Sequence, residues 1–155
     1  MNLDDIAEGR VVVLGIGNPL KGDDGAGPLL AGLLRERYPE VVFDGGSAPE
    51  NLVGPVRRAR PDSVLLVDAA DFGGRPGEIR VTSAGGAVGG LPGTHAVPLG
   101  MFAKALAEEL GASVHLIAVQ AGTTHLGNPM SPAVAASVER LALEIGKILA
   151  RRESP

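Results

Sequence analysis

The run Val11-Val12-Val13-Leu14 limits the possible folds more than any other feature of the chain. It is too short for a stable helix and has no polar residue to turn toward water, so it predicts a strand over 10–15 buried on both faces. Such strands belong to parallel sheets covered by helices. After a loop at 16–24, Ala26, Leu29, Leu30, Leu33 and Leu34 recur at helical spacing over 25–38, with Asp24 at the N-cap position and Pro39 closing the segment. The unit then repeats as a strand over 41–44, a loop at 45–50, a helix over 51–60 with Leu52, Val53, Val56 and Ala59 inward, and a strand over 63–68.

Beyond Asp68 the rhythm changes. Gly73, Gly74, Pro76 and Gly77 make a turn, 78–83 alternates as a partly exposed strand, and 84–93 is so rich in glycine that it reads as a mobile loop. A helix over 98–110 carries Met101, Phe102, Ala105, Leu106 and Leu110 on one stripe. A strand over 113–120 and a loop at 123–130 lead to a last helix over 131–152, which buries Val134, Val138, Leu141, Ile145, Ile148 and Leu149. The expected fold class is α/β: a three-layer α/β/α sandwich with a mostly parallel twisted sheet and one antiparallel edge strand, at 78–83. The 155 residues suit one domain, 1–155, with 1–9 a flexible N-terminus.

Composition removes several function classes. No cysteine is present, which excludes disulfides, thiolate metal sites and a cysteine nucleophile. With no Trp, 1 Tyr and 3 Phe, and a net charge of −4, nucleic acid has neither a stacking platform nor an attractive field, so no nucleic-acid partner is expected. The first nine residues hold three acidic side chains and no basic one, and no apolar run could span a bilayer. These features predict a cytoplasmic, soluble protein with no membrane partner.

Familiar catalytic signatures fail one by one. Gly15-Ile16-Gly17 resembles the start of a dinucleotide fingerprint, but its third glycine would fall on Leu20, and Asp23 and Asp24 stand where a pyrophosphate would lie. Lys21-Gly22 is followed by Asp23 rather than the Ser or Thr of a phosphate loop. Gly45-Gly46-Ser47-Ala48-Pro49 ends in proline, so it is no nucleophile elbow, and Ser47 alone reads as a loop cap. His95, His115 and His125 lack the pairing of a helical zinc site; His115 reads as structural.

What remains is acidic. Asp23, Asp24, Asp44, Asp68 and Asp71 all fall at or just past the carboxyl ends of the first three strands, where open α/β sheets place their sites. Each has a plain alternative: Asp24 could cap its helix and Asp44 could close a turn. Asp68 is harder to explain away, because it ends the apolar run Val64-Leu65-Leu66-Val67, and a carboxylate there needs a donor, a cation or a metal. Carboxylates with one imidazole, His95, suit nickel, zinc, iron or manganese.

Six motifs in order now acquire a common reading: Gly15-Ile16-Gly17-Asn18-Pro19, Gly22-Asp23-Asp24-Gly25-Ala26-Gly27, Asp44-Gly45-Gly46-Ser47-Ala48-Pro49-Glu50-Asn51, Val67-Asp68-Ala69-Ala70-Asp71, Pro76-Gly77-Glu78-Ile79 and Thr94-His95. Together they resemble the nickel-iron hydrogenase maturation peptidases, and the Gly-Gly-Ser-Ala-Pro-Glu-Asn stretch resembles the branch serving formate-hydrogenlyase-type hydrogenases. The resemblance implies a single peptidase domain that cuts a C-terminal extension from the hydrogenase large-subunit precursor after nickel insertion. It implies Asp24, Asp68 and His95 as catalytic and metal-binding residues, and Asp44, Gly45, Gly46 and Ser47 as substrate-binding. The nickel would be carried by the substrate, with no tightly bound resident metal, and the protein would act as a monomer.

Two chemistries stay open. Asp24 or Asp68 could activate a water while the metal orients or polarises the scissile segment, or the two carboxylates could work as an acid and base without the metal. A nickel-binding maturation or sensing module on the same fold, cutting nothing, is the alternative function. In several relatives proline and an acidic residue follow the strand that ends here at Gln120; this chain has Ala121-Gly122-Thr123-Thr124, with His125 close by.

Overall fold

The computed structural model describes residues 2–84 and 96–153. Among them five strands form one sheet: β1 (Val11–Ile16), β2 (Val42–Gly46), β3 (Ser63–Ala70), β4 (Ile79–Ser83) and β5 (Ser113–Gln120). The order is β2-β1-β3-β5-β4, parallel except for β4, which pairs antiparallel with β5 at one edge. This is the α/β/α arrangement expected, with the antiparallel strand where the alternation at 78–83 put it.

Alternation along each strand builds two apolar layers. Val11, Val13, Leu65, Val67, Ile117 and Val119 face one way, against α1 (Ala26–Arg35) and the last helix, Pro132–Glu153. Val12, Leu14, Val64, Leu66 and Leu116 face the other way, against α2 (Val53–Arg58) and α3 (Ala96–Leu110). The last helix, α4, buries all six apolar residues assigned to its inner face.

Several details differ from expectation for physical reasons. Gly25, not Asp24, occupies the N-cap of α1, and no side chain caps it, because residues Gly22–Gly25 wind as a 3-10 turn first. The segment at 51–60 is split into a 3-10 turn, Pro49–Leu52, and the short α2. Pro55 has no N–H to bond backward, so it fits only in the first turn of α2. On α3 the buried face runs through Leu99, Ala103 and Leu106, while Met101 and Ala105 turn outward. The N-terminus is not a loose tail. Leu3, Ile6 and Ala7 are buried in the layer of α1 and α4, and Arg152 of α4 donates to the Ala7 carbonyl at 2.5 Å. The expected mobility at 84–93 falls almost wholly outside the described residues.

Candidate active site

The chain runs from β1 outward to β2, then returns across β1 to β3, so the strand order reverses between β1 and β3. At such a switch point the loops beyond the strand ends diverge and leave a crevice, where sheets of this kind bind ligands. Asp24 comes from the loop after β1, and Asp68 lies near the carboxyl end of β3.

Glycines make this convergence possible. A side chain at Gly15 would strike the Gly27 carbonyl, and one at Gly27 would strike the backbone of Ile16 and the Val67 carbonyl, so α1 can lie against the end of β1 only because both are glycine. Gly17, at φ +140, packs against the Asp24 carbonyl; a Cβ there would sit 3.5 Å from Asp68 Oδ1. The Gly-x-Gly pattern therefore serves strand–helix approach here, with no nucleotide needed to explain it. The Asn18 N–H donates to Asp24 Oδ2 at 2.9 Å, and the Gly17 N–H donates to the Gly46 carbonyl at 2.8 Å, which ties the loop after β1 to the end of β2.

Asp68 is 7% exposed, and its Oδ1 has no hydrogen-bond partner among the described residues. Burial first, and the neighbouring Asp24 carboxylate second, push its pKa well above the ordinary aspartate value, against an opposing backbone hydrogen bond from Ala69. Asp68 also lines a cleft of about 180 Å³ with Ile16, Ser47, Pro49, Leu99 and Phe102; Glu50 stands at its rim. Two of the three expected metal ligands are thus brought together, and Ser47 of the expected substrate segment reaches the same cleft.

His95, the third expected ligand, lies outside the described residues; among those described, no group of three His, Asp or Glu side chains is placed to hold a metal ion. Asp44 is exposed, and its Oδ1 accepts the Gly46 N–H at 2.9 Å in an Asx turn, while Gly45 is packed against Leu14 and Pro49. Asp71 turns away, accepting from Gly73 N–H and from the Gln120 amide. His115 sits in β5, where burial lowers its pKa, and His125 is on an exposed loop.

Sequence reasoning missed Leu99, Phe102 and Glu50 as cleft residues; Phe102 is one of only three phenylalanines, a signal that was available. It also left Asp23 in the acidic set with no role of its own. Asp23 is fully buried and accepts bonds from Gly122 N–H at 2.7 Å, Thr123 N–H at 3.0 Å, Ser131 N–H at 2.6 Å and the Ser131 hydroxyl at 2.6 Å. Burial opposes its charge, but these donors outweigh burial and its pKa is lowered. Asp23 is a tie between loops.

A doubly wound sheet with two neighbouring carboxylates at its switch point defines an open α/β protein of the ligand-binding kind. Residues 30–148 match the HycI family of hydrogenase maturation proteases. The Hydrogenase 3 maturation protease of Escherichia coli K12 is 40% identical over 131 residues, 83% of either chain. The crystal structure of the NiFe hydrogenase maturation protease HycI from Thermococcus kodakarensis KOD1 superposes with a TM-score of 0.86 at 37% identity, covering 96% of this chain and 98% of that one. The solution structure of the endopeptidase HycI from Escherichia coli gives 0.75 at 35% identity, covering 86% and 87%. This chain belongs to the hydrogenase maturation protease family, as an endopeptidase of the HycI type. No helix among its described residues is long and apolar enough to cross a membrane.

Proposed function

We propose that the protein removes a C-terminal extension from the large-subunit precursor of a nickel-iron hydrogenase, and that it recognises the nickel already held by that precursor through Asp24, Asp68 and His95. The observation that carries this reading is Asp68, whose buried Oδ1 is orphaned, which neighbours a second carboxylate and which lines a cleft. A buried oxygen without a donor costs about 1–3 kcal/mol, and two neighbouring carboxylates repel. A divalent ion arriving with the substrate relieves both. The site is therefore frustrated when empty and satisfied when a nickel-loaded precursor docks, which makes metal insertion a condition for cleavage rather than a resident requirement.

Once docked, the metal fixes the extension near the two aspartates. One carboxylate takes a proton from water as the water oxygen attacks the scissile carbonyl, and the C–N bond breaks as the carboxylic acid so formed gives that proton to the departing nitrogen. Ser47 and the Asp44-Gly45-Gly46 turn stand beside the cleft, where they meet the peptide on either side of the bond. The protein acts as a monomer in the cytoplasm. The test is incubation with nickel-loaded and nickel-free precursor, read by the loss of mass of the precursor. Cleavage of the loaded form alone is expected. Equal cleavage of both forms overturns nickel recognition, and tight binding of free nickel with no cleavage would favour a metal-binding module.

A further inference from the structure

Among the described residues, Leu126, Leu143 and Leu20 are the most exposed leucines, at 71%, 69% and 67%. Leu143 stands alone on the outer face of α4, whereas Leu20 and Leu126 occupy two loops that run together beyond the carboxyl end of the sheet. The Gly127 N–H donates to the Leu20 carbonyl at 2.8 Å, and the Asp23 N–H donates to the Thr123 carbonyl at 2.8 Å. The Leu20 N–H is held by Asn18 Oδ1 at 2.9 Å, the Asn128 amide by Thr123 Oγ1 at 2.9 Å, and the Asp23 carboxylate clasps Gly122, Thr123 and Ser131. Two large apolar side chains are thus displayed to water on a backbone that is fastened at every turn.

We propose that Leu20 and Leu126 form an apolar docking ridge for the folded body of the precursor, outside the cleft that takes its metal. This rests on the reading given under Proposed function. Exposed apolar side chains on rigid loops favour association, because they remove apolar surface from water and lose little freedom on binding. The occupant follows from continuity with the site. Asn18, two residues before Leu20, donates to the carboxylate of Asp24, so the ridge is continuous with the loop that presents Asp24, and a folded partner offering a metal there has the ridge beside it. A short extension peptide could fill the cleft alone. A ridge beside it adds contact that only the body of the precursor supplies, and so favours intact precursor over free peptide.

The test measures binding of nickel-loaded precursor to immobilised enzyme, together with KM and kcat for its cleavage. Leu20→Ser combined with Leu126→Ser should weaken binding and raise KM by roughly tenfold, with a smaller change in kcat. Leu143→Ser should leave both unchanged. If the double variant melts early, each single variant carries the test, with an expected rise in KM of about threefold. An unchanged KM in a natively folded double variant overturns the ridge. Wild-type enzyme that binds precursor through these leucines without cutting it overturns the cleavage reading and leaves the ridge standing; wild-type enzyme that binds no precursor overturns both. Sedimentation showing a dimer that Leu126→Ser dissolves assigns the ridge to a second copy, and overturns the choice of partner.

Discussion

Asp23 and Ser131 lie 108 positions apart, yet both the backbone N–H and the hydroxyl of Ser131 meet the Asp23 carboxylate at 2.6 Å. That contact fastens the loop after β1 to the start of α4. Its neighbour in sequence, Asp24, instead accepts the Asn18 N–H and lies beside the Asp68 carboxylate. Two adjacent carboxylates thus serve different partners, one tying distant loops together and the other neighbouring Asp68.

Replacing Asp23 with Asn should destabilise the protein by about 2–4 kcal/mol, because a buried charge that accepts four bonds is exchanged for an amide that presents hydrogens to some of the same donors. The folded pKa of Asp23 lies below its ordinary value, so its stabilising contribution is present above about pH 4 and fades as the pH falls through the lowered value. Urea unfolding of wild type and variant should therefore converge at acid pH. Parallel curves between pH 3 and pH 7 would show that charge on Asp23 is not what holds the loops.

Asp68 should behave in the opposite sense. Its folded pKa is raised, so it costs stability once the pH exceeds the unfolded aspartate value, near 4, and costs nothing below that. Asp68→Asn should raise the melting temperature at neutral pH by about 2–4 °C, on the order of 1 kcal/mol, while abolishing precursor cleavage. The gain should vanish at acid pH. A variant less stable than wild type at pH 7 would contradict the frustrated-site account.

Alanine at Asp24 or His95 should also abolish cleavage. Loss of cleavage should be matched by loss of binding to the nickel-loaded precursor and by little change in the weaker binding to the nickel-free one. Pull-down with each precursor form reads this directly.

Glycine positions offer a contrast. Gly17→Ala should reduce cleavage by roughly tenfold or more, because the new methyl collides with the Asp24 carbonyl and displaces the loop that carries Asp24. Gly46→Ala, at φ +53 with open space around it, should cost only about 1–2 kcal/mol of backbone strain. Melting curves and cleavage rates of the two variants separate crowding at the site from strain in a turn.

Much of the fold was legible because the strands are nearly continuous apolar runs, which allow few alternatives; the strand over 113–120 matches β5 residue for residue. The helix over 98–110 was harder. Met101 and Ala105 are as apolar as Leu99 and Ala103, so periodicity alone could not choose between two faces a residue or two apart. The N-terminus was misread because its acidic residues, Asp4 and Asp5, masked the spacing of Leu3, Ile6 and Ala7, which dock on α4. At the site, the charge of Asp68 at the end of an apolar strand was a genuine signal of burial. The resemblance singled out Asp24, but the role of Asp23 was not legible, since it depends on the placement of Gly122, Thr123 and Ser131, about a hundred residues away.

The crossing of α1 over β1 sets how a partner meets this enzyme. With Gly15 at one root of the intervening loop and Gly27 at the other, each pressed against opposing backbone, the span that carries Asp24 has little room to swing. On the proposed reading, an arriving chain meets Asp24 in place and need not wait for the loop after β1 to rearrange.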